Sequence, residues 1–157
     1  MNAWPEAVRD KDAGGYTPLH SICGNRRASL EVLSAVLNAC PEAAREKCNG
    51  GRTPLHEICV LKYCGNRGAS LEMLSVVLNA WPEAVRDKDA GGYTPLHSIC
   101  GNRRASLEVL SAVLNACPEA AREKCNGGRT PLHEICVLKY CGNRGASLEM
   151  LSVVLNA

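Results

Sequence analysis

No phenylalanine occurs in the 157-residue chain, and tryptophan occurs only at Trp4 and Trp81. A core without large rings must be built from leucine, valine, isoleucine, alanine and cysteine. Such side chains suit thin layers of close-packed helices better than a thick sandwich of sheets. The apolar fraction of 46% and the charged fraction of 22% are nevertheless ordinary for a globular protein, and the length suffices for one compact domain.

Long apolar runs are also absent, because Ser, Asn, Glu or Arg interrupts each of them. A membrane-spanning helix needs about 20 predominantly apolar residues, so no membrane partner is expected. The N-terminus lacks the basic start and apolar run of a secretory signal, which predicts a cytoplasmic protein whose ten cysteines are reduced thiols. The net charge of +2 lacks the basic excess on which nucleic-acid binding depends, so no nucleic-acid partner is expected either.

Motifs of catalysis are missing as well. The sequence contains no Gly-x-Gly-x-x-Gly, no P-loop and no nucleophile elbow, the signatures of dinucleotide binding, phosphate binding and acyl transfer. The sequence therefore predicts a protein that is not an enzyme and uses no cofactor.

An exact internal duplication organises the chain. Residues 2–78 recur without a single change as residues 79–155. Natural duplicates drift apart, so an unchanged copy indicates a very recent duplication or deliberate engineering, and we favour engineering.

Each copy contains two shorter repeats, marked by a Thr-Pro-Leu-His motif that begins at Thr17, Thr53, Thr94 and Thr130. The motifs are 36, 41 and 36 residues apart. We therefore expect a single repeat domain over residues 1–157, with repeats at approximately 2–37, 38–78, 79–114 and 115–157. The five extra residues of the longer repeats, 60–64 and 137–141, are predicted to extend the first helix of those repeats by about one turn.

Within one repeat, local signals predict a helix, a loop and a second helix. Thr17 is a favourable N-cap, and Pro18 suits the first helical position. The first helix should end near Gly24, which tolerates a left-handed terminus. Ser29 then caps a second helix whose leucines and valines recur at three- and four-residue spacing. Pro41 prevents that helix from continuing much further, although residues 42–47 can add a helical turn.

The chain resembles the ankyrin-repeat family, in which a Thr-Pro-Leu-His motif opens the first of two antiparallel helices and a β-turn finger precedes it. The four motifs carry the resemblance over essentially the whole chain, although the repeats exceed the usual length of about 33 residues. The resemblance implies an all-α, ankyrin-like helix-loop-helix solenoid with β-turn fingers.

The resemblance also implies structural roles for the motif histidines, whose rings would hydrogen-bond the adjoining turn and so tie one repeat to the next: His20, His56, His97 and His133. The cysteine that follows each histidine would occupy a small buried slot of the first helix: Cys23, Cys59, Cys100 and Cys136. Cys48 and Cys125 stand where the other fingers carry Asp, so we expect them to be more exposed.

One combination of these residues has the chemistry of a zinc site. His56, Cys59 and Cys64, with Cys48 nearby, offer the sulfur and imidazole ligands that zinc prefers. The set recurs at His133, Cys136, Cys141 and Cys125. Because convergence of the four ligands would require the first helix to unwind, we predict no metal.

Two classes of function remain. In the first, the chain is a protein-binding module, because ankyrin-like proteins bind other proteins on the concave surface of their fingers and first helices. The matching positions here are Lys11, Tyr16, Lys47, Asn49, Arg52, Lys88, Tyr93, Lys124, Asn126 and Arg129. Tyrosine and arginine, which dominate interface hot spots, alternate among them.

In the second class, the chain is an engineered scaffold with no evolved ligand. A natural binder is expected to diversify its contact residues between repeats, whereas here two halves are identical, so we favour the scaffold. Neither terminal repeat carries the polar outer face of a solenoid cap. The sequence therefore also predicts head-to-tail self-association through the two ends.

Overall fold

The computed structural model describes residues 6–25, 27–60, 67–102, 105–138 and 144–157. The regular structure of these residues is helical, and no strand occurs among them, so the all-α class expected from the sequence is confirmed. They form eight α-helices: α1 (Pro18–Cys23), α2 (Leu30–Ala39), α3 (Pro54–Val60), α4 (Arg67–Ala80), α5 (Pro95–Cys100), α6 (Leu107–Ala116), α7 (Pro131–Leu138) and α8 (Arg144–Leu155). None of the helices within these ranges has the length and apolar character needed to span a bilayer.

The Thr-Pro-Leu-His motif starts the first helix of a repeat. In α1, Thr17 is the N-cap and Pro18 the first helical residue, as the sequence predicts. The Thr17 side chain accepts from the backbone N–H of His20, and the His20 ring accepts from the backbone N–H of Thr17. The two residues thus form a capping box in which histidine takes the place of the usual Glu or Gln.

The end of α1 lies where the sequence predicts, since the helix stops at Cys23 and Gly24 is the C-cap. Gly24 has φ −81° and ψ −6°, so the helix ends without using the left-handed conformation that glycine tolerates. This right-handed geometry keeps the last hydrogen bond of the helix, in which the Gly24 N–H donates to the His20 carbonyl at 2.8 Å.

The second helix follows its sequence signals closely. Ser29 caps α2 by accepting from a backbone N–H two residues later, and the helix ends at Ala39. Pro41 then opens a short 3₁₀ helix, Pro41–Arg45. This is the additional helical turn expected over residues 42–47, begun slightly earlier because proline is favourable at a first helical position.

The helices lie in two layers. In one, α1, α3, α5 and α7 contact each other in chain order, and in the other α2, α4, α6 and α8 do the same. Within each repeat the first helix packs against the second. A continuous core between the layers contains fully buried Leu19, Leu33, Leu55, Leu74, Leu96, Ile99 and Leu110. Burying each such side chain contributes roughly 1.5–3 kcal/mol, so this core holds the layers together.

The five-residue insertion is described only at its start. The first helix has six residues in α1, seven in α3 and eight in α7. The described part of the helix therefore includes one residue of the insertion, Val60, in one copy and two, Val137 and Leu138, in the other. Residues 61–64 and 139–141, which complete the insertion, lie outside the described residues.

Candidate functional site

The turns that precede the motifs pack directly against one another. In the first turn, the Gly15 N–H donates to the Asp12 carbonyl at 2.9 Å. The next turn lies on it, because the Asn49 N–H donates to the Gly14 carbonyl at 3.0 Å and the Asn49 Nδ2 donates to the Ala13 carbonyl at 3.1 Å. Asn49 is thus engaged in joining two repeats.

The same contact recurs between the later turns. Asn126 donates from its backbone to the Gly91 carbonyl at 2.9 Å and from its side chain to the Ala90 carbonyl at 3.0 Å. Between the second and third turns, where the residue equivalent to asparagine is Ala90, its N–H donates to the Gly50 carbonyl at 2.9 Å. A ladder of backbone hydrogen bonds therefore runs across all four turns.

Glycine makes this close approach possible. Gly15, Gly51 and Gly92 have φ values of 77°, 73° and 77°, a region that favours glycine. A Cβ on Gly51 would also lie 2.7 Å from the backbone nitrogen of Ala90, which leaves no room for a side chain. Sequence reasoning missed this packing role, although a Gly-Gly pair stands two residues before every motif threonine.

The motif histidines provide a second set of hydrogen bonds between successive repeats. The Nε2 atom of each ring lies at hydrogen-bond distance from a carbonyl of the following repeat: 2.9 Å from His20 to Arg52, 3.0 Å from His56 to Tyr93 and 3.0 Å from His97 to Arg129. These three histidines are at most 1% exposed. His133 keeps the local bond to Thr130 at 2.8 Å but is exposed, because no further repeat packs against it among the described residues.

The hydrogen bonds define the protonation state of the buried rings. In His56, Nδ1 accepts from the backbone N–H of Thr53 at 3.2 Å, so this nitrogen carries no proton. Nε2 therefore bears the proton and donates to the Tyr93 carbonyl. Burial lowers the pKa of His56, and the nearby Arg52 lowers it further, against the opposing effect of the hydrogen bond to Tyr93. The pKa values of His20 and His97 are lowered by burial in the same way.

Mild acid should therefore destabilise the fold. The unfolded chain has histidine pKa values near 6.5 and binds protons more readily than the folded chain, so the contribution to stability is present above that pH and is lost as the pH falls below it. We expect the urea midpoint of unfolding to fall between pH 7.5 and 5.5. His56→Gln should weaken this pH dependence, because it removes one of the buried rings whose pKa is lowered. A midpoint that rises on acidification would contradict the prediction.

The lysines predicted to bind a partner also lie between repeats. Lys11 donates to the Lys47 carbonyl at 2.9 Å, Lys47 to the Lys88 carbonyl at 3.4 Å, and Lys88 to the Lys124 carbonyl at 3.1 Å. Each also meets a carboxylate of the next repeat: Lys11 and Glu46 at 2.9 Å, Lys47 and Asp87 at 3.0 Å, and Lys88 and Glu123 at 2.8 Å. Lys124 has no such contact among the described residues.

The tyrosines and arginines of the predicted binding set are partly exposed, less so than its lysines and asparagines. Tyr16 stands edge-on to the His20 ring with the centroids 5.7 Å apart, and Tyr93 does the same with His97 at 5.6 Å. Arg52 lies 3.2 Å from Glu57, and Arg129 lies 3.2 Å from Glu134. All four side chains thus lie on the same surface, along the turns and first helices.

The arginine–glutamate pairs are incompletely satisfied. Arg52 Nη2 and Glu57 Oε1 are buried and, despite their proximity, neither is in hydrogen-bond geometry with any group. Burial raises the pKa of Glu57, an effect that the Arg52 charge opposes. Glu57 therefore belongs to the polar part of this surface, although the sequence analysis did not predict it as a binding residue.

The cysteines divide differently from the prediction. Cys23, Cys59 and Cys100 are buried as expected, at 0%, 3% and 0% exposure, and burial raises the pKa of the Cys100 thiol to about 12. The expected burial of Cys136 is wrong: its side chain is exposed, because no further repeat packs against it among the described residues.

The expected exposure of Cys48 and Cys125 is wrong. Both are 6% exposed, because each lies inside a turn; the Cys48 carbonyl accepts from the Gly51 N–H at 2.8 Å. Among the eight described cysteines all thiols are free.

The zinc site considered in the sequence analysis includes ligands that lie outside the described residues. Cys64 and Cys141 lie outside them. Within the part of the chain that the structure describes, no group of three or more His, Cys, Asp or Glu side chains is arranged to hold a metal ion.

The comparisons with known proteins add no family assignment. No protein-family model matches the chain, and no curated protein matches it at a significant level.

Proposed function

We propose that this chain is a non-enzymatic scaffold, an ankyrin-like helix-loop-helix solenoid with β-turn fingers and no evolved ligand. The strongest support is that side chains of the fingers form hydrogen bonds between the repeats. In a binding module these residues face a partner, whereas here Lys11, Lys47, Asn49, Lys88 and Asn126 make hydrogen bonds to an adjacent repeat.

The exact duplication supports an engineered origin for such a scaffold. Residues 2–78 and 79–155 are identical, including every finger residue predicted to contact a partner. Two equal surfaces on one chain do not distinguish one partner from another. They do give every copy of the unit the same stacking contacts, which is the requirement of a scaffold built by repetition.

The scaffold function predicts a stability cost for changing the fingers. Asn49→Ala removes the bond to the Ala13 carbonyl, and we expect it to lower the free energy of unfolding by about 1 kcal/mol. Urea denaturation measures this loss. Lys124→Ala, at a finger lysine without a described contact, is the control and should change stability by less than about 0.5 kcal/mol.

Residues selected for ligand binding behave in the opposite way, since function is commonly maintained at a cost in stability. An Asn49→Ala variant as stable as the parent, or more stable, would therefore count against the scaffold function.

A second function, protein binding, is favoured by the surface around Tyr16, Arg52, Tyr93 and Arg129. The side chains of these tyrosines and arginines remain partly exposed, and the buried atoms Arg52 Nη2 and Glu57 Oε1 lack hydrogen bonds. Selecting a displayed peptide library for binding to the parent chain tests this function. A variant with alanine at all four positions serves as the counter-selection. Peptides that bind the parent and lose binding to the variant would favour the module over the scaffold.

A further inference from the structure

The last repeat presents a face that is buried in its identical copy. Leu55, His56 and Cys59 of the second repeat are 0%, 0% and 3% exposed. Their equivalents 77 residues later, Leu132, His133 and Cys136, are half-buried, exposed and exposed. The difference comes from α5 and α6, which cover α3 and α4, whereas no further helix of the described residues covers α7 and α8.

This uncovered face is apolar and concave. A cleft of about 350 Å³ opens on it, lined by Arg129, Leu132, His133, Cys136 and Val137. Val137, Leu148 and Leu155 are 50%, 55% and 62% exposed. Leu71, which corresponds to Leu148, instead packs against the core.

The first repeat presents the complementary face. Val109, Ile99 and Val113 of the third repeat are 5%, 0% and 0% exposed because α5 and α6 lie against the second repeat. The equivalent Val32 is 51% exposed, and Ile22 and Val36 are only partly buried.

The junction between the second and third repeats shows how these two faces fit together. It contains the hydrogen bond from Ala90 to Gly50 at 2.9 Å, the bond between His56 and Tyr93 at 3.0 Å and the ion pair of Lys47 and Asp87 at 3.0 Å. Every residue in these contacts has an identical equivalent on one of the two uncovered faces.

Among the described residues, several polar groups of the uncovered faces lack the inter-repeat partner that their equivalents have in the internal junction. Lys124 and Asp10, the equivalents of Lys47 and Asp87, have no ion pair with each other or with another described residue. His133, the equivalent of His56, has only its local bonds to Thr130. The carbonyl of Tyr16, equivalent to that of Tyr93, receives no histidine Nε2 from within the described part of the chain.

We propose that the α7–α8 face of one molecule binds the α1–α2 face of a second copy and reproduces the internal junction between repeats. In this contact, His133 donates to the carbonyl of Tyr16 of the second copy, Lys124 pairs with Asp10, and Leu148 is covered. The contact is heterologous, so further copies add at either end and form an open chain unless the rotation closes a ring. This association goes beyond the scaffold function and does not depend on the presence or absence of an evolved ligand.

Gly128 provides a selective probe of this contact. Within the chain, a Cβ on Gly128 would meet nothing within 4 Å, whereas at the equivalent Gly51 it would lie 2.7 Å from the nitrogen of Ala90. Gly128→Ala should therefore clash with the Ala13 nitrogen of a second copy while leaving the fold of the single molecule in place. Gly127→Ala is the matched control, because a Cβ on Gly127 would meet only the Cys125 sulfur, at 3.8 Å. At the equivalent Gly50, inside the internal junction, a Cβ would likewise meet only the Cys48 sulfur, so Gly127→Ala should not disturb the contact between two copies.

Sedimentation velocity over a concentration series measures the association. The parent chain and Gly127→Ala should show a mass that rises with concentration above the 16.8 kDa of one chain. Gly128→Ala should weaken association by tenfold or more. On the opposite face, Val32→Glu should do the same, since the equivalent Val109 is 5% exposed in the internal junction.

Mixing the two blocked variants distinguishes head-to-tail association from any other kind. Gly128→Ala retains an intact α1–α2 face, and Val32→Glu retains an intact α7–α8 face. The mixture should therefore form one working junction, with a mass that stops at twice 16.8 kDa. Circular dichroism confirms that each variant is folded.

Three results would overturn the proposal. The first is a parent chain that stays monomeric at millimolar concentration. The second is association of folded Gly128→Ala as strong as that of the parent, and the third is a mixture of the blocked variants that remains monomeric. None of these results bears on the Asn49→Ala measurement, so the association and the scaffold function can fail separately.

Discussion

Replacing Gly51 with alanine is expected to lower the free energy of unfolding by about 3 kcal/mol, the sum of two costs. Gly51 has φ 73°, and a left-handed conformation costs a residue with a Cβ roughly 1–2 kcal/mol. The new Cβ would also lie 2.7 Å from the Ala90 nitrogen, and such overpacking typically costs about 1–3 kcal/mol because the backbone must shift. Chemical denaturation of the purified variant measures the total.

The chain supplies its own control for this experiment. Gly128 has the same φ of 73°, but a Cβ there would have no neighbour within 4 Å. Gly128→Ala in the dilute monomer should therefore show only the conformational cost, about 1–2 kcal/mol. Equal losses at the two positions would mean that the close approach of the second and third turns contributes nothing to stability.

Truncating Leu55 is expected to have an equal or larger effect. The side chain is 0% exposed and belongs to the continuous core. Leu→Ala substitutions at such sites cost about 2–5 kcal/mol, because apolar contact is lost and a cavity remains. We expect Leu55→Ala to lower the free energy of unfolding by about 3–4 kcal/mol, with a clear fall in the thermal midpoint.

Leu132 is the matched position in the last repeat. It occupies the same place in an identical local sequence, but it lines the open cleft and is only half-buried. In the dilute monomer Leu132→Ala should therefore cost about 1–2 kcal/mol, since less apolar surface returns to water. A loss at Leu132 as large as that at Leu55 would show that the third repeat does not stabilise the second by covering it.

The helix boundaries were the most predictable part of the fold. Thr17 and Pro18 start α1, Ser29 caps α2, and Pro41 stops it, as expected. Each of these signals involves residues that are only a few positions apart in sequence, so it can be interpreted without knowing how the neighbouring repeats pack. The end expected near Gly24 is also confirmed, although Gly24 is right-handed and keeps the helical hydrogen bond to His20.

The surface residues were less predictable. The exposed side chains of Lys47 and Asn49 hydrogen-bond to the adjacent repeats, a contact that the sequence did not indicate. Cys48 was expected to be more exposed, and it is 6% exposed. Whether a finger side chain faces solvent or the next turn depends on the spacing between stacked repeats, which the composition of one repeat does not reveal.

The exact duplication separates what local sequence determines from what tertiary structure decides. The identical segments of the first and third repeats form the same helices: α1 and α5 have six residues each, and α2 and α6 have ten. Their capping geometries also agree, with φ −83° at Thr17 and −82° at Thr94. Local sequence alone therefore determined the start, the length and the caps of these helices, because each of those interactions closes within one turn of chain.

Burial, by contrast, differs between identical residues. His56 is 0% exposed, yet its exact copy His133 is exposed, and Val109 is 5% exposed where its copy Val32 is 51% exposed. Each member of a pair has the same neighbours in sequence, so only the repeat that packs against it can account for the difference. Tertiary structure decided which histidines become buried ties and which apolar faces stay open, because water is excluded from a side chain by surfaces that are distant in the chain.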